Sequence, residues 1–200
     1  MLRVIDDFLD DPYSFRNGGL KLYNENKNDY TWPGFRAYVP DFLEKKYISK
    51  VESTLNVKLI VDRGSYFQWV DTNWISGLWH EDLFDYTILT FLNLNAPPNT
   101  GIEIGNNTKD NNPCIEYMNN FNSPKVSFYK SSRNYYQRYW FKKKIDKYIS
   151  SPYFKNSCTV SNKFNRTVIF NRGQLHRAQN FFGKGKNARF TMISFCNVTT

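Results

Sequence analysis

The chain has only two histidines, His80 and His176, and the residues around them have the types and spacing of a single-metal site. His80 lies in Gly77-Leu78-Trp79-His80-Glu81-Asp82, and His176 in Asn171-Arg172-Gly173-Gln174-Leu175-His176-Arg177. Side chains alternate along an extended strand, so a strand over Trp74 to Asp82 turns His80 and Asp82 to one face and Trp79 and Glu81 to the other. A second imidazole brought in by a distant strand completes a set of two histidines and one carboxylate. Such a set leaves three adjacent metal positions open and suits Fe(II) and the activation of dioxygen. With 18 acidic residues in 200, an acidic side chain two places after a histidine is common by chance, so His80-x-Asp82 is weak on its own.

The C-terminal segment strengthens it. Thirteen residues after His176 comes Arg189-Phe190-Thr191, another same-face pair at strand period, inside an apolar run that continues to Cys196. An arginine rooted in an apolar strand is costly to bury unless its planar fork meets a carboxylate, and a dicarboxylate co-substrate supplies one. The ordered pattern H-x-D, a distal H, then R-x-S/T resembles that of the Fe(II)/2-oxoglutarate-dependent dioxygenases. The likeness runs from about Arg63 to Val198 and looks nearest to the small prolyl-hydroxylase-like members and to phage or bacterial members. On that resemblance His80, Asp82 and His176 match the iron ligands, and Arg189 with Thr191 matches the pair that holds the far carboxylate of 2-oxoglutarate. Phe91 to Gly101 is similar to the strand and Pro/Gly turn that follow H-x-D in the family, although Ile102-Glu103-Ile104 stands where further glycine is usual.

The resemblance implies a mainly β fold with flanking helices around a double-stranded β-helix core, of the jelly-roll or cupin-like kind. It implies an oxidoreductase of the hydroxylase type, with Fe(II) as metal, 2-oxoglutarate as co-substrate, and succinate and carbon dioxide as co-products. Peptidyl proline, a free amino acid, another small metabolite, a nucleobase and a sugar are all compatible substrates. Tyr66 and Gln68 share a strand face and are candidates to hydrogen-bond the co-substrate; the plainer reading makes Tyr66 core and Gln68 strand surface. Asn171 and Gln174 flank the distal strand and are candidates to orient His176. Arg172 and Arg177 are the fallback partners for the carboxylate.

Composition bounds the alternatives. A 200-residue chain can bury about 70% of its unfolded surface, enough for one sizeable core, so residues 1–200 are read as a single domain. The aromatic share of 18% predicts a core rich in Phe, Tyr and Trp. No apolar run approaches the roughly 18 residues of a membrane span, and the start lacks a signal peptide's apolar stretch. Cys114, Cys158 and Cys196 show no C-x-x-C spacing, which argues against a disulfide framework or zinc knuckle and for reduced thiols in a cytoplasmic protein. G-x-S-x-G, phosphate-loop and G-x-G-x-x-G motifs are absent.

The net charge of +9 invites a nucleic-acid reading. Cations cluster at Lys130, Arg133, Arg138, Lys142, Lys143, Lys144 and Lys147 among Tyr135, Tyr136, Tyr139, Trp140, Phe141 and Tyr148, a mixture that could stack bases. The favoured reading is an amphipathic helix over about Arg133 to Ser150. Nucleic acid is therefore a candidate partner but not the favoured one. The alternatives to an oxygenase are a jelly-roll relative that binds without oxidising, and a basic aromatic nucleic-acid-binding module.

Elements follow from period and punctuation. A strand is expected at Leu2 to Asp6, a helix at Pro12 to Leu22 weakened by Gly18-Gly19, and a helix to about Leu55 opened by a capping box at Asp41-Phe42-Leu43-Glu44. Strands are expected at Gly64 to Asp71, Trp74 to Asp82, Asp85 to Leu94, Gly101 to Gly105, Thr167 to Asn171, Gln174 to Gln179 and Ala188 to Asn197. Residues 106–165 read as an insertion between barrel strands, with a loop at 106–124.

Overall fold

A computed structural model describes residues 1–24, 34–74, 77, 80–105 and 156–199. The loop at 106–124, the aromatic-basic stretch, Trp79 and Cys114 lie outside the described residues. Among the described residues, two α-helices and ten strands follow in chain order: β1 (Leu2–Ile5), α1 (Pro12–Leu22), β2 (Phe35–Tyr38), α2 (Asp41–Leu55), β3 (Leu59–Val61), β4 (Tyr66–Val70), β5 (Tyr86–Phe91), β6 (Ile102–Gly105), β7 (Asn156–Val160), β8 (Thr167–Asn171), β9 (His176–Ala178) and β10 (Arg189–Val198). The fold is mainly β, with two antiparallel sheets. The seven-stranded sheet runs β1-β8-β5-β10-β4-β2, with β3 also paired to β10, and the three-stranded sheet runs β7-β6-β9. No described helix is long and apolar enough to cross a membrane.

Strand alternation divides the large sheet into two faces. Phe190, Met192 and Cys196 of β10 share one face with Phe67 and Trp69 of β4, and there they meet Phe15 of α1 and Leu43, Tyr47, Ile48, Val51 and Leu55 of α2. The other face carries Leu89 and Phe91 of β5, Val168 and Phe170 of β8, and Ile193 of β10, which pack on Ile102, Ile104 and Val160 of the small sheet. The core is aromatic, as composition predicts: Trp69, Tyr47, Phe15, Phe67, Phe91, Phe170 and Phe190 are its largest fully buried side chains.

Gly18-Gly19 does not break α1, because Asp11 caps it through Ser14 N–H and Pro12 starts it. Gly19 instead lets the helix press onto the core: a Cβ there would lie 2.5 Å from Phe190 Cζ and 3.1 Å from the Phe67 ring. Phe190 stacks on Trp69 at 4.4 Å, so moving its ring disturbs that pair. Gly19→Ala should gain about 0.5 to 1 kcal/mol of helix propensity and lose about 1 to 3 kcal/mol to overpacking. We expect a lower urea midpoint at unchanged slope; a raised midpoint would mean that the rings give way.

Three expectations are corrected. Asp41 and Glu44 form no capping box: Pro40 stands at the N-cap, and the Glu44 carboxylate accepts from Ser65 N–H, joining α2 to the start of β4. Trp74 to Asp82 is not a strand among its described residues, since only His80 pairs, singly, with His176. The end of the stretch read as an insertion is β7, which pairs along β6. β2 and β3, of four and three residues, were not anticipated.

Candidate metal centre

His176 opens β9 opposite Ile104 of β6, so it faces the interior between the sheets, where its ring lies 4.4 Å from that of Phe170. It is 5% exposed. His80 is its antiparallel neighbour, each backbone N–H donating to the other's carbonyl at 3.0 Å, and the two imidazoles sit 4.2 Å apart. Beyond His80 the chain leaves the ladder. The Asp82 carbonyl accepts from Gly173 N–H at 3.5 Å, and Arg172 N–H donates to the Asp85 carbonyl at 3.1 Å. Asp85 also pairs with the Arg172 guanidinium at 3.3 Å and accepts from Val198 N–H at 3.0 Å. The turn between β8 and β9, with Gly173 at φ 75°, thus holds the loop that carries Asp82.

The result is the trio that the sequence singles out, assembled differently from the expected strand. Asp82 Oδ2 lies 3.4 Å from His176 Nε2, and Asp82 Oδ1 lies 4.0 Å from His80 Nε2. All three donor atoms fall within 4.8 Å of one another. His176 Nδ1 is 2.8 Å from the Gln174 carbonyl, which can only accept, so the proton sits on Nδ1 and the Nε2 lone pair is bare. Burial first, and the nearby His80 second, push His176 down to about 4, against the pull of Asp82, so it is neutral at physiological pH. A bare nitrogen lone pair then faces a carboxylate oxygen with no proton between them. Two electron-rich atoms in that position repel unless a cation lies among them, and this donor set fits a divalent ion.

Arg189 and Thr191 point into the same interior from β10, in register with Val70 and Gln68 of β4. Arg189 is 2% exposed. Its guanidinium donates to the carbonyls of Thr100 at 3.1 Å and Gly101 at 3.4 Å, between the rings of Phe91 and Phe181. Gly101 permits this approach and packs so closely that a Cβ would fall 1.9 Å from the Val160 carbonyl oxygen. Burial pushes Arg189 down to about 10, and no carboxylate among the described residues offsets it. The Thr191 hydroxyl is buried with no hydrogen-bond partner among the described residues. A buried cation without an anion beside an unsatisfied hydroxyl fits an anionic ligand.

The other candidates are placed as follows. Gln68 is buried, directly opposite Thr191. Tyr66 is used locally: its hydroxyl donates to the Arg63 carbonyl at 2.9 Å and its ring packs on Tyr38 at 4.9 Å. Burial and the neighbouring Tyr38 push it up to about 12. Gln174 orients His176 through its backbone carbonyl, while its side chain donates to the Gly105 carbonyl at 2.9 Å. Asn171 accepts from the N-terminal ammonium at 2.5 Å. Arg172 is paired with Asp85, and Arg177 with Glu103 on the opposite face of the small sheet. Sequence reasoning missed Thr87, whose hydroxyl donates to Asp82 Oδ2 at 2.7 Å; a polar residue in the apolar β5 row ending Leu89 and Phe91 is the signal it left.

No protein-family model matches the chain, and no curated protein matches it. Solved structures do. HygX from Streptomyces hygroscopicus with nickel and 2-oxoglutarate bound aligns at TM-score 0.57 and 14% identity, over 99% of this chain and 82% of that one. The iron-bound form gives 0.54 at 14% identity, with the same coverage. The form with nickel, 2-oxoglutarate and hygromycin B gives 0.55 at 13% identity, over 99% and 83%. The chain shares the overall fold of a protein crystallised with iron or nickel and with 2-oxoglutarate.

Proposed function

We propose that this chain is an Fe(II)- and 2-oxoglutarate-dependent oxygenase of the hydroxylating type, built on a double-stranded β-helix core. The observation that carries the reading is one interior that holds both three facing lone-pair donors and a buried arginine without a carboxylate. His80, Asp82 and His176 would hold the metal. Bound iron supplies open coordination positions and the redox chemistry that activates dioxygen.

The chain's own residues bind and orient the co-substrate. The Arg189 fork offers two charge-assisted hydrogen bonds to a carboxylate, and the Thr191 hydroxyl offers a third. The Gly101 carbonyl, which meets Arg189, directly precedes β6 and lies three residues from Ile104, which is paired with His176. At a strand rise of about 3.3 Å per residue that is roughly 10 Å, a gap that a five-carbon dicarboxylate joined to a metal can span. Phe91 and Phe181 flank Arg189, and Phe170 packs on His176, so apolar rings line both ends. The likeness to HygX, crystallised with iron and with 2-oxoglutarate, supports the same reading. The substrate is a small molecule or a peptidyl group carrying an oxidisable C–H.

The test is an anaerobic titration with Fe(II) and then 2-oxoglutarate, followed by admission of air. We expect a weak visible charge-transfer band that saturates at one equivalent of each, then release of succinate. A chain that gives neither band nor succinate is a ligand-binding relative of the fold and not an oxygenase.

A further inference from the structure

We propose that Thr87 is a positioning residue that keeps Asp82 a ligand through one oxygen, and so preserves three open positions on the metal; this rests on the metal-centre reading above. Asp82 lies off the ladder, so no strand geometry fixes its side chain. Among the described residues, the one side-chain hydrogen bond it receives is from Thr87 Oγ1 to Oδ2, at 2.7 Å. Thr87 is 4% exposed, on β5, directly opposite Phe195 of β10 and Phe170 of β8. The next residues on that face, Leu89 and Phe91, are apolar. A hydroxyl buried in such a row is costly unless it has an acceptor, and here the acceptor is a candidate ligand.

The chemistry follows from how carboxylates bind ions. Either one oxygen or both can coordinate. A hydrogen bond donated to Oδ2 ties up one of its lone pairs and draws charge from it, so the two oxygens are no longer equal donors and binding through one is favoured over binding through both. With two imidazoles, one-oxygen binding leaves three of six positions free, whereas two-oxygen binding leaves two. A keto acid that chelates through two oxygens, together with dioxygen, needs three. Partners of metal ligands commonly change metal affinity by about 10- to 100-fold.

The experiment titrates the full-length chain with Co(II) alone, anaerobically, and records the affinity, the visible ligand-field spectrum and the infrared carboxylate stretches. Thr87→Val removes the hydroxyl at constant shape, Thr87→Ala removes it without adding a methyl group, and Thr87→Ser keeps it. We expect Co(II) to bind about tenfold or more weakly to the Val and Ala chains. The separation between the carboxylate stretches should narrow, as for two-oxygen binding, and Ser should restore both readings. Val or Ala chains that bind Co(II) with wild-type affinity and wild-type stretches would make Thr87 a packing residue and overturn the proposal, leaving the metal centre intact. A wild-type chain that takes up no Co(II) would overturn both.

Discussion

His176→Ala should abolish stoichiometric Fe(II) binding while the chain still folds. The chain has two histidines, so no third imidazole exists to take its place. Its Nε2 is bare because the Gln174 carbonyl holds the proton on Nδ1, and Asp82 Oδ2 stands 3.4 Å away. Structural metal sites of four ligands are worth about 10 to 16 kcal/mol, so each donor accounts for roughly 3 kcal/mol. The loss is therefore on the order of a hundredfold or more in Kd. Titration calorimetry under anaerobic conditions reads it directly. Unchanged affinity in His176→Ala would remove this residue from the site.

Arg189→Met should leave Fe(II) binding in place and weaken 2-oxoglutarate by roughly a hundredfold or more. Removing one member of a buried charge pair costs on the order of 3 to 5 kcal/mol, which converts to at least that factor in affinity. Methionine keeps much of the volume between Phe91 and Phe181, so the loss reports the charge and the fork and not a collapsed cavity. Arg189→Lys, which keeps the charge but not the two-pronged geometry, should fall between the two. Wild-type affinity in Arg189→Met would mean that the carboxylate is held elsewhere.

The two helices were legible to their ends because Leu43, Tyr47, Val51 and Leu55 recur at helical spacing and Asp11-Pro12 marks a start. The strands β4, β5, β8 and β10 were legible because each is rich in β-branched and aromatic residues and is buried on both faces over most of its length. His80, Asp82 and His176 could be grouped from types and spacing alone, but the strand expected to carry His80 and Asp82 is not found among the described residues. Alternation along a strand does not bring them together. A single bridge to His176 places His80, and backbone contacts with the turn at Arg172 and Gly173 place Asp82. Those contacts join points far apart in the chain, which local pattern cannot report. The same holds for Glu44, whose position suited a cap but whose carboxylate serves Ser65, and for Thr87, whose partner is fixed only in three dimensions.

The strand order has a consequence for how the chain reaches this state. Along β1-β8-β5-β10-β4-β2 no two neighbours are consecutive among the described strands, and β10, which follows all the others in the sequence, sits between β5 on one side and β4 and β3 on the other. During synthesis β3, β4 and β5 therefore each keep an edge open for a partner that emerges only with residues 189–198. Pairings of such long sequence separation carry a large loop-closure cost and fold slowly, on the order of milliseconds to seconds. Exposed edges during that wait favour association with other chains, so the yield of native protein should depend on temperature and chaperone supply during expression.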